Sequence, residues 1–157
     1  MEDQGVCISL AYCPRSDDIV ASYRPKVEMS NEMFVSQLSS TQSRVTGQGV
    51  VGSHVLFKRA GSSCFQKSGS VYANVNYIRL PKSAIIDTED HKQLFASSNE
   101  ATSELVLQEL PSFTVCQRLK SERHPLRDMK YTHAFSQGLL GCLTDDTLQI
   151  FSSGISR

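Results

Sequence analysis

Short runs of alternating apolar residues, separated by clusters of turn-forming residues, are the feature of this sequence that most restricts its fold. Ile8, Leu10 and Tyr12 recur at every second position, so they would share one face of a β-strand. The segment 13–18 that follows supplies Pro, Ser and Asp, which are residue types that form turns. The pattern predicts eight strands, at 8–12, 19–23, 34–38, 94–98, 105–109, 115–119, 139–143 and 148–151. Because the links are short, we expect consecutive strands to pair antiparallel.

The runs recur at a spacing that is typical of a repeated unit. The runs that begin at Leu94 and Leu139 lie 45 residues apart, within the roughly 40–45-residue period of four-stranded propeller blades. The run that begins at Ile19 fills the same position 75 residues before Leu94. The extra length predicts a flexible insertion at about 39–70, which is rich in Ser, Gly and Gln. The whole chain, 1–157, is therefore predicted to be all-β: a partial β-propeller of about three degenerate four-stranded blades.

Three blades do not close a ring, since propellers typically have about four to eight. We therefore expect further blades to complete the propeller, and we expect this chain alone to expose sheet edges and apolar faces. A helical fold is disfavoured, because the long segment 82–110 lacks apolar residues held at the i, i+3, i+4, i+7 spacing of an amphipathic helix.

Charge and cysteine content exclude several classes of function. Lys+Arg and Asp+Glu both number 16, so net charge gives no reason to expect direct nucleic-acid or membrane-surface binding. No apolar run approaches the roughly 18 residues that cross a bilayer, and the polar N-terminus does not resemble a secretory signal. An intracellular protein is predicted. The five cysteines are odd in number and include no C-x-x-C pair, which favours neither a disulfide framework nor a zinc site.

No catalytic motif accompanies the four histidines, each of which is predicted to lie in or beside a turn or a strand end. G-x-S-x-G, G-x-G-x-x-G, Walker A and EF-hand patterns are absent. The acidic clusters at 17–18, 87–90 and 145–146 lie where turns are predicted, and turn formation accounts for them. The sequence predicts no catalytic residue, no metal site and no cofactor.

Three segments carry a family resemblance. The first contains Tyr23-Arg24-Pro25, the second runs from 94 to 101, and the third from 139 to 151. In this order they resemble the C-terminal WD40 region of the RING-finger-and-WD-repeat E3 ubiquitin ligases that act in DNA interstrand cross-link repair. The resemblance covers about 5–151, with 39–70 poorly matched. The sequence departs from the family in lacking a RING finger, a coiled coil and the Trp that often ends a blade's third strand.

The resemblance implies a WD40-like, partner-binding region of a nuclear ubiquitin ligase, either a fragment of such a protein or a distant homologue. In that family the RING recruits the ubiquitin-charged E2, and the WD40 region binds substrate, notably the single-strand-binding replication protein A. Without a RING, ubiquitin transfer is not expected of this chain. The alternative is a non-enzymatic WD40 scaffold subunit of an unrelated complex.

The strongest candidate for a partner site is the segment 23–34, after the second strand. It begins with Tyr23 and Arg24, residue types that are enriched at interface hot spots. Pro25 stiffens the segment, which lowers the entropy lost on binding. Met33 and Phe34 add apolar side chains. We predict that Tyr23, Arg24, Met33 and Phe34 bind a protein partner.

Overall fold

The architecture is all-β and is built from three antiparallel sheets. The computed structural model describes residues 5–13, 15–24, 51–74, 83–88, 92–99, 104–120, 126, 128–134, 137–144 and 147–152. The first sheet contains β1 (Val6–Cys13), β2 (Asp18–Arg24), β3 (Val51–Arg59) and β4 (Phe65–Asn74). The second contains β5 (Ser83–Asp87), β6 (Gln93–Asn99), β7 (Glu104–Glu109) and β8 (Thr114–Lys120). The third contains β9 (Asp128–Ala134), β10 (Gln137–Leu143) and β11 (Leu148–Ser152).

Within each sheet the strands follow one another in sequence order, and each pairs antiparallel with its neighbour. The sheets meet through their first strands: β1 contacts β5, and β5 contacts β9. Ser9 and Ser83 are hydrogen-bonded across the first of these contacts at 3.1 Å. Across the second, the Tyr131 hydroxyl donates to the Asp87 carbonyl at 2.8 Å. Antiparallel sheets of this kind, with strands in sequence order and contacts between their first strands, are compatible with blades of a partial propeller.

The second sheet is covered on both faces, which explains its continuous buried runs. Ala84, Ile86 and Ala96 belong to a core shared with Leu140 and Cys142 of the third sheet. Ile85, Phe95 and Phe113 belong to a second core, shared with residues of the first sheet (Ala11, Cys13, Val20 and Leu56). Successive residues of a strand point to opposite faces, so β5 and β6 supply both cores.

The outer faces of the two flanking sheets are exposed in part. On β1, Ala11 and Cys13 are buried against the second sheet, whereas Leu10 and Tyr12 are 67% and 53% exposed. On β11, Leu148 and Ile150 are 63% and 62% exposed. Both pairs lie on the face of their sheet that points away from the second sheet, because they alternate with residues that pack toward it.

Seven of the predicted strands lie within β1, β2, β6, β7, β8, β10 and β11. The three runs assigned to the second position of a unit are β2, β6 and β10, which are second strands of their sheets. The predicted strand 34–38 lies outside the described residues.

The predicted flexible insertion at about 39–70 is wrong where the structure describes it. Residues 51–59 and 65–74 form β3 and β4, a hairpin that completes the first sheet. The interval of 75 residues between the first two units therefore contains two strands of the first blade-like sheet. The outer strand β4 contributes to the polar composition of this interval. Its residues 65–68 and 70 are exposed.

Candidate functional site

The two described residues of the predicted partner site lie at the end of β2. Tyr23 pairs with Cys7 of β1 and with Ser53 of β3, and Arg24 pairs with Val6. Both side chains are half-buried. Burial raises the pKa of Tyr23 above its usual value of 10.0, with a smaller contribution from Cys7, so its hydroxyl is a neutral hydrogen-bonding group at pH 7. Met33 and Phe34, the other two predicted residues, lie outside the described residues.

Strand register adds two residues to this site that the sequence did not indicate. Ser53 pairs with Tyr23 on one side and with Tyr72 of β4 on the other. Residues directly opposite one another share a sheet face, so Tyr23, Ser53 and Tyr72 form a row across three adjacent strands. Tyr72 is 84% exposed. We call Tyr23, Ser53 and Tyr72 the tyrosine row; Arg24, the next residue of β2, points to the opposite face.

The neighbouring row lies on the opposite face and is polar and buried. Ser22 Oγ and His54 Nδ1 are hydrogen-bonded at 2.8 Å, and the His54 ring packs against Phe95 with centroids 4.8 Å apart. Ser22 is 1% exposed and His54 4%. The prediction that each histidine lies in or beside a turn or strand end is wrong for His54, which is paired within β3 with both Ser22 and Val71.

This Ser–His pair does not have the properties of a nucleophile and its base. Burial lowers the pKa of His54 from 6.5 to about 4, which makes the imidazole a weak base at neutral pH. The Ser22 hydroxyl is shielded from solvent and from any substrate. The pair is better described as a buried hydrogen bond that satisfies two polar side chains between packed sheets.

A charged cluster at the other end of the first sheet has a structural role. The Tyr12 hydroxyl donates to Asp17, and Arg59 binds the second oxygen of the same carboxylate. Arg59 also donates to the carbonyls of Gly61 and Ser62. The Tyr12 hydrogen bond, followed by that of Arg59, lowers the pKa of Asp17. The cluster holds the β3–β4 turn against the β1–β2 turn.

Within the part of the chain that the structure describes, no group of three or more His, Cys, Asp or Glu side chains is placed to hold a metal ion. Among the same residues, no helix has the length and apolar character needed to span a membrane. The cysteines there are unpaired thiols, with Cys7, Cys64 and Cys116 exposed and Cys13 and Cys142 buried. Burial raises the pKa of Cys142 to about 11, which keeps it an unreactive thiol.

Comparison with known proteins gives no relative: no protein-family model matches the sequence, and no curated protein matches it.

Proposed function

We propose that this chain is a partner-binding region of WD40-like β-propeller type, with no catalytic group of its own, and that it binds a protein partner at the tyrosine row. The proposal is supported above all by Tyr72, an aromatic side chain that is 84% exposed and aligned with Tyr23 on one sheet face. Tyrosine gives a large contact area at low cost in side-chain entropy, and with arginine it is enriched among residues that dominate binding energy.

The rigidity of the support also favours this proposal. Tyr23 and Tyr72 are held by strands that pair with β3 on both sides, so little conformational entropy would be lost when a partner binds. Arg24 follows Tyr23 at the end of β2 and points to the opposite face of the sheet, so its contribution to binding is tested separately.

The resemblance to ubiquitin-ligase WD40 regions suggests replication protein A as the first partner to test. On that basis the chain is a nuclear region that recruits replication protein A for ubiquitination in DNA repair, with the RING supplied elsewhere. The second candidate is a scaffold subunit of an unrelated complex, which would use the same surface for another protein.

The test is a calorimetric titration of the chain with replication protein A. We expect Arg24→Ala to weaken binding by about 1–2 kcal/mol, and we expect losses of similar size for Tyr72→Ala and Met33→Ala. Phe65→Ala is the matched control, because Phe65 lies on the same strand as Tyr72, is 42% exposed and is outside the row. Circular dichroism checks that each variant is folded.

The titration separates the two candidates. Unchanged affinity in a folded Tyr72→Ala protein would move the site away from the tyrosine row, and unchanged affinity in folded Arg24→Ala would remove Arg24 from the site. No binding of replication protein A by the folded wild-type chain would favour the scaffold alternative, and partners captured on wild type but lost on Tyr72→Ala would then identify its complex.

A further inference from the structure

The first and third sheets each have one face that packs on no other sheet of the chain. On the first sheet this face carries Leu10 and Tyr12, which are 67% and 53% exposed. On the third it carries Leu143, Leu148 and Ile150, which are 45%, 63% and 62% exposed. Leu143 and Leu148 are paired across β10 and β11 and so share that face. We call the face of Leu10 and Tyr12 the rear face, and the face of Leu143, Leu148 and Ile150 the forward face.

The two junctions between sheets in the chain have the same direction. The first packs the face of the first sheet that carries Cys13 and Leu56 against the face of the second sheet that carries Phe95. The second packs the other face of the second sheet, with Ala96, against the face of the third that carries Leu140. Each sheet therefore presents one face to the sheet before it and the opposite face to the sheet after it. The rear face lacks a preceding sheet, and the forward face lacks a following one.

The first strands set how the sheets are placed in a junction. Ser9 and Ser83 are hydrogen-bonded at 3.1 Å, and Cys13 Sγ donates to Asp87 Oδ1 at 3.6 Å. Both pairs are 74 residues apart, so β1 and β5 lie side by side and run in the same direction. β5 contacts β9 in turn. A second copy whose β1 lies beside β9 therefore continues the stack with the kind of junction that the chain already contains.

The polar residues of the forward face are placed as in the existing junctions. Asp128 and Lys130 share this face, because they pair with Leu143 and Gly141 of β10. Both lie on β9, the first strand of its sheet, and the first strands of the existing junctions also carry polar contacts. The exposed apolar side chains lie on β10 and β11, where they can pack against another sheet.

The number of sheets restricts how many copies can join. A head-to-tail contact between identical chains repeats until a ring closes, and otherwise gives an open filament. Closed propellers typically have about four to eight blades. The three described sheets of one copy are too few. Two copies supply six sheets, within that range, whereas three copies supply nine.

We propose that two copies of this chain close head to tail into a ring of six sheets, with the forward face of each copy packed on the rear face of the other. This inference goes beyond partner binding and rests on the fold. The third sheet has three strands in the part of the chain that the structure describes, and these would face β1, β2 and β3. Tyr72, on the outer strand β4, would stay accessible to a partner in the ring.

The test measures the mass of the full chain by light scattering coupled to size exclusion, and we expect about twice 17.4 kDa. Leu10→Glu charges the rear face and Leu148→Lys the forward face. Each should raise the dimer dissociation constant about 10-fold or more, because the altered face occurs in both junctions of the ring and a charge is then set against apolar surface. Thr114→Lys, at an exposed position of β8, is the control and should leave the constant unchanged.

An equimolar mixture of Leu10→Glu and Leu148→Lys gives a second readout. A mixed ring has one unaltered junction and one that sets the introduced carboxylate against the introduced ammonium. We expect native mass spectrometry to show a dimer with one copy of each variant. Leu10→Lys mixed with Leu148→Lys is the matched control, because like charges then meet and no mixed dimer should form. If circular dichroism shows a variant to be unfolded, the reversed pair, Leu10→Lys with Leu148→Glu, replaces the first pair and should also recover the dimer.

The two single variants also separate a head-to-tail ring from other dimers. A dimer lost in Leu148→Lys and kept in Leu10→Glu would mean that two third sheets pack together, and the reverse that two first sheets do. Either result would overturn the proposal, as would a dimer unchanged in both. A wild-type mass of 17.4 kDa, or one well above twice that value, would overturn it as well.

Failure of the ring is distinguishable from failure of the proposed function. A monomer that binds replication protein A through Tyr72 would remove only the ring. A head-to-tail dimer that binds no protein partner would remove only the proposed binding at the tyrosine row.

Discussion

Ser22 and Ser98 are both buried, but among the described residues only Ser22 has a hydrogen-bond partner for its hydroxyl. Ser22 is hydrogen-bonded to His54, whereas Ser98 Oγ has no partner among the described residues. An unpaired buried hydroxyl costs about 1–3 kcal/mol, and its removal relieves that cost. We expect Ser98→Ala to raise the free energy of unfolding by about 1 kcal/mol, measured by urea denaturation, and Ser22→Ala to lower it. If Ser98→Ala were the more destabilising of the two, Ser98 would have a partner in solution.

His54 should make stability sensitive to acid. Its pKa is about 4 in the folded chain against 6.5 for an unperturbed histidine, so the unfolded state binds the proton more tightly. Above pH 6.5 both states are neutral and His54 has no effect. As pH falls from 6.5 toward 4 the unfolded state is favoured, and the loss is about 2 kcal/mol at pH 5.

The measurement compares urea denaturation of wild type and His54→Asn at pH 7 and pH 5. Asparagine keeps a polar atom near Ser22 but cannot titrate, so the variant should lose less stability between the two pH values, whatever its stability at pH 7. Carboxylates contribute equally to both proteins and cancel in the comparison. Equal losses would mean that His54 protonates in the folded chain without penalty.

Only part of the candidate site could be predicted from the sequence, and individual residues show why. Tyr23 and Arg24 stand out because Pro25 follows them and ends β2 at a recognisable place. Tyr72 gives no such signal, since its alignment with Tyr23 depends on the pairing of β3 with both β2 and β4. His54 likewise meets Phe95 only when the first and second sheets pack.

At the scale of elements, the packing between the first and second sheets depends on β6. Phe95 is fully buried, with the rings of His54 and Phe113 at 4.8 and 6.0 Å. We expect Phe95→Ala to lower the free energy of unfolding by about 3–5 kcal/mol, because it removes a large side chain and leaves a cavity. Phe65→Ala, at a site that is 42% exposed, should cost less than about 1 kcal/mol in the same urea titration.

That comparison tests whether the sheets form one cooperative unit. If Phe95→Ala costs no more than Phe65→Ala, the first and second sheets are not packed as described. A biphasic transition in the variant would show instead that the core shared by the second and third sheets unfolds separately from the core shared by the first and second.

Strands with alternating apolar residues or a fully apolar run were predictable, and β4, which has neither, was not. β7 was predictable from the apolar run Leu105, Val106 and Leu107, and all three side chains are buried. β4 contains Gly69 and several exposed polar residues, so it lacks the alternation that marks a half-buried strand. The apolar island at 54–57 did contain a signal for β3, which the Ser- and Gly-rich surroundings obscured.

At the scale of the whole molecule, the stack of three sheets has two outward faces with exposed apolar residues. Leu10 and Tyr12 lie on the first sheet, and Leu148 and Ile150 on the third, all at least half exposed. In a propeller such faces are covered by neighbouring blades. Uncovered apolar faces promote self-association. Their presence here is what the prediction that further blades complete the propeller leads one to expect.

We therefore predict that the isolated chain is oligomeric or poorly soluble, and that charging the third sheet's outer face reduces this. Light scattering coupled to size exclusion should give a mass above 17.4 kDa for wild type. The double variant Leu148→Lys, Ile150→Lys should shift toward that monomer mass, because lysine disfavours face-to-face packing. The control Thr114→Lys, Gln117→Lys adds equal charge to exposed positions of β8 and should leave the oligomers unchanged. A wild-type chain that is monomeric and melts cooperatively would contradict the partial propeller, since its exposed faces would then need no cover.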